Sequence, residues 1–206
     1  MNWLAHIFLS EQNINFQLGN FLADPMKGRL WDSASDDMIK GVNTHKLIDS
    51  YTDSHKIVSQ SKARLRKKGL LKPLIIDLTY DYLLTKNWNI FCNIPIREYI
   101  DSFYKQAKAV ELPNPANSFV QNLVDKDRLN KYHKLHHLEQ AFERIDARLS
   151  KKLLEKETSI SYIDSVYKNI NDIEDDFLIF FPQMCKYIKN NLDKDNISHW
   201  HKNIRL

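Results

Sequence analysis

Apolar side chains recur at intervals of three and four along the whole of this chain, the period of an α-helix and not of a β-strand. Glycine is scarce, with Gly19, Gly28, Gly41 and Gly69 the only four in 206 residues. Strand-and-turn architectures use glycine at their hairpins, so this composition argues against them. It also leaves no glycine-rich phosphate loop. There is no internal repeat, low-complexity tract or composition break. The pattern predicts an all-α fold, a single-domain helical bundle spanning residues 1–206 and long enough to bury a real core.

Local signals set the expected elements. Trp3, Leu4, Ile7 and Phe8 mark a first short helix, and Phe16 to Leu22 a second that closes before Pro25. Ser35 or Asp36 is placed to cap a long third helix reaching Asp53. A fourth stops near Gly69. Pro73, Pro95 and Pro115 stand where a first-turn proline is tolerated. Later helices are expected over Arg97 to Val110, Ala116 to Leu129, Leu138 to Leu154 and Ser161 to about Asn190, the last kinked or broken at Pro182.

The formal charge is +4, unevenly distributed. Lys62 to Lys72 is strongly basic and Asp172 to Asp176 strongly acidic. The basic run reads either as a solvated helix end or as a docking surface for an acidic partner. The aromatic residues fall at core spacing, which gives no base-stacking platform, so no nucleic-acid partner is expected. Cys92 and Cys185 have apolar or aromatic neighbours and read as buried free thiols in a reducing compartment. The opening residues lack the basic flank of a signal peptide, and no run of about 18 apolar residues occurs. A soluble, cytoplasmic protein with no membrane partner is expected. His199 and His201 are placed in a mobile tail.

Hard donor groups recur every fourth residue in His45, Asp49 and Asp53, so a helix presents them on one face. Asp77 and Asp81 repeat the spacing on a helix apolar around much of its circumference, where bare carboxylates are costly. A divalent ion between such groups relieves their repulsion, and a mixture of imidazole and carboxylate suits manganese, iron, zinc or magnesium. The competing reading has the first ladder facing water and pairing with Lys46 or Lys56. On that reading Asp77 and Asp81 bond a neighbouring helix end and an arginine. Asp24 and His6 are further candidates, with a pre-proline helix end and a satisfied core histidine as their plain alternatives. His133, His136 and His137 read as a solvated helix start. No nucleophile elbow is present, and neither cysteine has an evident histidine partner.

These residues fall in four blocks that resemble the bacterial acyl carrier protein phosphodiesterases. The blocks are Met-Asn-x-Leu-Ala-His6 with Gly19-Asn20-Phe21-Leu22-Ala23-Asp24, then Gly41-Val42-x-x-His45-x-x-Ile48-Asp49-x-x-Thr52-Asp53. They continue with Asp77-Leu78-x-x-Asp81-Tyr82-Leu83-Leu84-x-x-x-Trp88 and Phe181-Pro182-x-Met184. The middle, about Arg97 to Ser159, shows little that matches. The resemblance implies an HD-domain-like helical hydrolase that removes the 4′-phosphopantetheine arm from holo-acyl carrier protein, with a divalent metal, manganese before magnesium or iron.

On that resemblance Asp24, His45, Asp49 and Asp77 are expected to hold the metal. Asp53 or Asp81 is expected to orient water, and His6 to protonate the leaving serine oxygen. An acidic carrier protein gives the basic run a purpose, with Arg64, Arg66, Lys67 and Lys68 expected to dock it. Two rivals remain: an HD-like phosphohydrolase of a small phosphoester or nucleotide, and a non-catalytic helical module that binds an acidic partner.

Overall fold

The structure, a computed structural model, describes residues 3–66, 68–132, 134–201 and 204. In chain order its α-helices are α1 (Trp3–Phe8), α2 (Ile14–Leu22), α3 (Asp36–Ser54), α4 (Lys56–Leu65), α5 (Lys72–Lys86) and α6 (Trp88–Phe91). They continue with α7 (Ile96–Ala109), α8 (Ala116–Asp125), α9 (His136–Asp146), α10 (Lys151–Leu154) and α11 (Ile163–Lys189). Among the described residues there is no β-strand, only an isolated antiparallel bridge between Cys92 and Trp200. The all-α expectation therefore holds. No helix of the described residues is long and apolar enough to cross a membrane.

Several boundaries follow from the sequence directly. Asn13 accepts from the backbone amides of Asn15 and Phe16 to start α2, and Ser35 accepts from Met38 N to start α3. Pro73 stands in the first turn of α5, and Pro95 and Pro115 immediately precede α7 and α8. Other boundaries differ. The fourth helix stops at Leu65, short of Gly69. The eighth stops at Asp125 because Asp127 adopts φ 45°, which no α-helix continues through. The helix expected from Leu138 to Leu154 is two helices, the second begun by Ser150 accepting from Leu153 N. At Pro182 no break occurs, and α11 runs on from Ile163 to Lys189. The flanking Phe180, Phe181, Met184 and Cys185 are all fully buried, and their packing outweighs the one lost backbone hydrogen bond.

One core cluster runs from Leu4 to Ile204, with α11 supplying Phe177, Phe180 and Phe181. Cys92 and Cys185 are buried free thiols within it. Two glycines set the closest helix pair. A Cβ on Gly19 would lie 2.7 Å from the backbone of Met38, and one on Gly41 would lie 2.7 Å from Asn20 N. Nothing larger than hydrogen fits at either position, so α2 and α3 pack backbone to backbone. That contact brings the Asn20–Asp24 end of α2 against the His45–Asp49 face of α3.

α1 has only six residues, too few to be stable alone, and the fold holds both its ends. Tyr99 Oη donates to Ile7 O at 2.9 Å, while His199 Nε2 and Trp200 Nε1 donate to Phe8 O at 2.8 and 3.0 Å. His199 is thus fully buried against the end of α1 and not in a tail. At the other end, the buried Asp81 carboxyl faces the amides of Leu4 and Ala5 without closing to full hydrogen-bond geometry.

Candidate metal centre

α1, α2 and α3 meet at His6, Asn20, Asp24, His45 and Asp49. The two imidazoles stack with centroids 4.0 Å apart and planes 17° apart. His45 Nδ1 donates to the Asn20 carbonyl at 2.9 Å, and His6 Nδ1 meets the Asn20 side-chain oxygen at 2.9 Å. Asn20 is itself fixed, its amide nitrogen donating to His6 O and Ser10 Oγ, both at 2.9 Å. Its Oδ1 is therefore an acceptor, and His6 carries its proton on Nδ1. One asparagine thus orients both rings and turns both Nε2 atoms toward a common point.

Asp49 occupies that point. Its Oδ1 lies 3.3 Å from His6 Nε2 and its Oδ2 lies 3.0 Å from His45 Nε2, while Asp24 Oδ1 reaches His45 Nε2 at 3.1 Å. Donor atoms of His6, His45 and Asp49 all fall within 4.8 Å of one another. Burial draws the His6 imidazole down to about 4, against the pull of the Asp49 hydrogen bond. Burial also opposes charge on His45, but hydrogen bonds to Asp24 and Asp49 outweigh it and lift this imidazole to about 9. The Asp24 carboxyl is lowered chiefly by its hydrogen bond to His45. Burial opposes ionisation of Asp49, yet its hydrogen bonds to His45 and His6 hold its carboxyl well below the usual range.

These donors fit a divalent ion. The hydrogen bond from His6 Nε2 to Asp49 needs a charged ring, which burial opposes; on the neutral ring, protonated on Nδ1, the Nε2 lone pair faces a carboxylate oxygen 3.3 Å away, and a cation beside the two atoms makes both contacts attractive. Two imidazole nitrogens and aspartate oxygens are hard-to-borderline donors, the kind that hold manganese, iron, zinc or magnesium. Each ring's second nitrogen is anchored, as metal-ligating histidines require.

The other expected residues fall elsewhere. Asp77 is half-buried on α5 and lines the same cavity as Asp24. Burial raises its carboxyl above the usual range, and the nearby charge of Asp49 adds to the rise. Asp81, one turn on, is buried behind α1, and burial raises its carboxyl to about 7. Asp53 is exposed at the end of α3, with Lys62 Nζ at 3.5 Å. Arg64 binds the buried Asp176 through Nε at 2.7 Å and Nη2 at 3.1 Å, with Nη1 on Asp172 at 3.2 Å. Arg66 is ion-paired with Glu157 and stacked 3.7 Å over the Tyr162 ring. Both arginines are thus tied to the fold. Lys68 is exposed, and Lys67 lies outside the described residues, as does His133. Asn20 enters the sequence only as part of a motif, and no spacing rule marks an asparagine as the residue that orients two histidines.

Fold and site together define a helical protein in which two buried histidines meet two solvent-accessible aspartates where its three N-terminal helices join. The family model described as acyl carrier protein phosphodiesterase matches residues 1–184, and the chain belongs to that family. Among curated relatives, the acyl carrier protein phosphodiesterase of Pectobacterium atrosepticum is 25% identical over 193 residues, covering 92% of this chain and 98% of its own. That of an Enterobacter species is 26% identical over 195 residues, with the same coverage. That of Photorhabdus laumondii is 31% identical over 90 residues, 43% of this chain and 46% of its own. No solved structure matches the chain.

Proposed function

We propose that this chain is a metal-dependent phosphodiesterase that releases the 4′-phosphopantetheine arm from holo-acyl carrier protein and leaves the apo form. The reading rests on family membership and on one observation in particular: two oriented histidines and two aspartates converge where α1, α2 and α3 meet, and one of them, Asp24, lines an open cavity. His6, His45, Asp49 and Asp24 are the proposed metal ligands, with manganese the proposed ion. A divalent ion in such a site withdraws charge from a phosphoryl oxygen and makes water more acidic.

The chain's own groups supply the rest. Asn20 fixes both rings, so the donor set is preorganised and not assembled on binding. Asp77, which lines the same cavity as Asp24 and is raised by burial, is suited to take a proton from attacking water, a role first sought at Asp53 or Asp81. Asp53 faces solvent beside Lys62. Asp81 faces the first turn of α1, which places its contribution in the setting of His6. His6 passes from proton donor to metal ligand, because its Nδ1 is held by Asn20 and its Nε2 points into the donor cluster.

Mass spectrometry of purified holo-acyl carrier protein incubated with this protein and manganese tests the reading. Conversion to the apo form that a chelator stops is the expected result. Hydrolysis of a small diester without conversion of the carrier protein transfers the function to the small-phosphoester reading. Absence of both reactions with manganese bound overturns hydrolysis.

A further inference from the structure

The cavity that Asp24 lines also carries three arginines. Its volume is about 220 Å³, and Asp24, Asp77, Arg128, Arg144 and Arg148 all line it. The three arginines come from the segment after α8 and from the end of α9, in the middle of the chain where no motif is recognisable in the sequence. Among the described residues neither Arg144 nor Arg148 lies within ion-pairing distance of a carboxylate, in contrast to Arg64 and Arg66. Arg128 sits over the Trp3 ring with its guanidinium carbon 5.7 Å from the centroid.

A second groove of about 460 Å³ shares Trp3, Arg128 and Arg148 with this cavity and so continues from it. Its walls are Phe21, Phe119 and Leu123, with Asn122 and Ser118 among them, and its size falls in the usual range of roughly 300–1,000 Å³ for small-molecule sites. Phe119 is 37% exposed there, a large apolar group left open to solvent.

We infer that Arg128, Arg144 and Arg148 clamp the phosphoryl group of the substrate, and that the Phe21–Phe119 groove takes the linear amide-containing arm attached to it. This rests on the phosphodiesterase reading and names which parts of the substrate the middle of the chain recognises. Guanidinium groups match phosphate oxygens in geometry and keep their charge at any working pH. A phosphoryl group held by them lies beside Asp24, and therefore beside the His45 and Asp49 donors. The arm then runs away from the metal over Trp3, with apolar walls for its methylenes and methyls. Asn122 and Ser118 are placed to hydrogen-bond its amides.

Calorimetric titration of the manganese-loaded full chain with inorganic phosphate and with free 4′-phosphopantetheine tests both halves without requiring turnover. The arm makes phosphopantetheine bind at least tenfold tighter than phosphate. Arg144→Ala and Arg148→Ala each weaken both ligands by about 10–100-fold, the value of a charge-assisted hydrogen bond, and lysine restores part of the loss. Phe119→Ser weakens phosphopantetheine by about five- to tenfold and leaves phosphate alone. Manganese affinity stays unchanged in all three variants. Phosphate binding that is absent in the parent, or indifferent to both arginines, overturns the clamp. Equal affinity for the two ligands, or a Phe119→Ser variant that binds phosphopantetheine normally, overturns the groove. Failure to convert holo-carrier protein with these affinities intact sinks the phosphodiesterase reading alone.

Discussion

Replacing Gly41 by alanine tests whether the α2–α3 contact builds the metal centre. Two effects oppose one another. Alanine in a helix interior gains about 0.5–1 kcal/mol over glycine from propensity. Against this, the new Cβ would lie 2.7 Å from Asn20 N and closer still to Phe16 O, both of them backbone atoms that no rotamer change can move away. Clearing Asn20 N alone requires the helices to part by roughly 0.7 Å and clearing Phe16 O requires more, and overpacking of a rigid site costs about 3 kcal/mol. The steric cost wins. For a chain of this size the net loss lowers Tm by roughly 4–10 °C. The same displacement stretches the bond from His45 Nδ1 to Asn20 O, now 2.9 Å, to about 3.6 Å, where it no longer counts as a hydrogen bond. Thermal unfolding and manganese titration on one preparation give both quantities, with affinity expected to fall tenfold or more. A variant that melts at the parent temperature or a little above, and binds manganese normally, would show that propensity alone acts and that the close approach does not set the site.

Three further outcomes are expected. Asn20→Ala frees both imidazoles and lowers manganese affinity by about 10–100-fold, while Asp53→Ala leaves it unchanged; titration of each variant decides this. Arg64→Ala leaves the buried Asp176 held only by hydrogen bonds from Gln60 and Ser61 and destabilises by about 3 kcal/mol in urea unfolding, yet the folded fraction processes carrier protein at the parent rate; a raised KM would give Arg64 a docking role instead. Stability against pH carries two opposing slopes. His199 is held near 4 by burial, so the unfolded chain binds the extra proton and stability rises with pH from about 4 to 6.5, by about 3 kcal/mol. Asp81 is raised by burial to about 7, so the folded chain holds the extra proton and stability falls by about 4 kcal/mol from pH 3.8 to 7. The buried His6, also held near 4, adds a rise of its own, so the test is the change in slope: His199→Gln lowers the stability gained between pH 4.5 and 7, and Asp81→Asn raises it. Urea melts at pH 4.5 and 7 that shift both variants in the same direction refute the assignment.

What the sequence reveals here follows from how local each signal is. Helical periodicity, the cap at Ser35 and the first-turn prolines act within one or two turns, and the helices they predict are present. The four-residue ladder of His45 and Asp49 is equally local, and the structure puts both in the donor cluster. Asp53 has the same spacing but stands one turn further along α3, beyond the reach of α1 and α2, and spacing alone cannot tell the two aspartates apart. Long-range partners decide the rest. The basic run looks like a free surface until Asp176 and Glu157, about a hundred residues away in the chain, claim Arg64 and Arg66. Conversely, Arg144 and Arg148 stand on a helix end with no motif around it, and only the fold brings them to the cavity that Asp24 lines.

His6 shows the same dependence most sharply. It sits on a helix of six residues, and a lone histidine on an apolar face carries no signal of a ligand. Its position is set by groups that come from far along the chain. Asp81 faces the amides at one end of α1, and Tyr99, His199 and Trp200 hold its last carbonyls. Asn20 then turns the ring. The family match ends at residue 184, so two of these anchors, His199 and Trp200, belong to the segment beyond it. None of its described residues joins the donor cluster, yet it bonds to the carbonyl two residues beyond His6. Its contribution to the site is therefore mechanical. It keeps a helix too short to persist alone in the register that places Nε2 of His6 beside Nε2 of His45, and a change there reaches the donor cluster through α1.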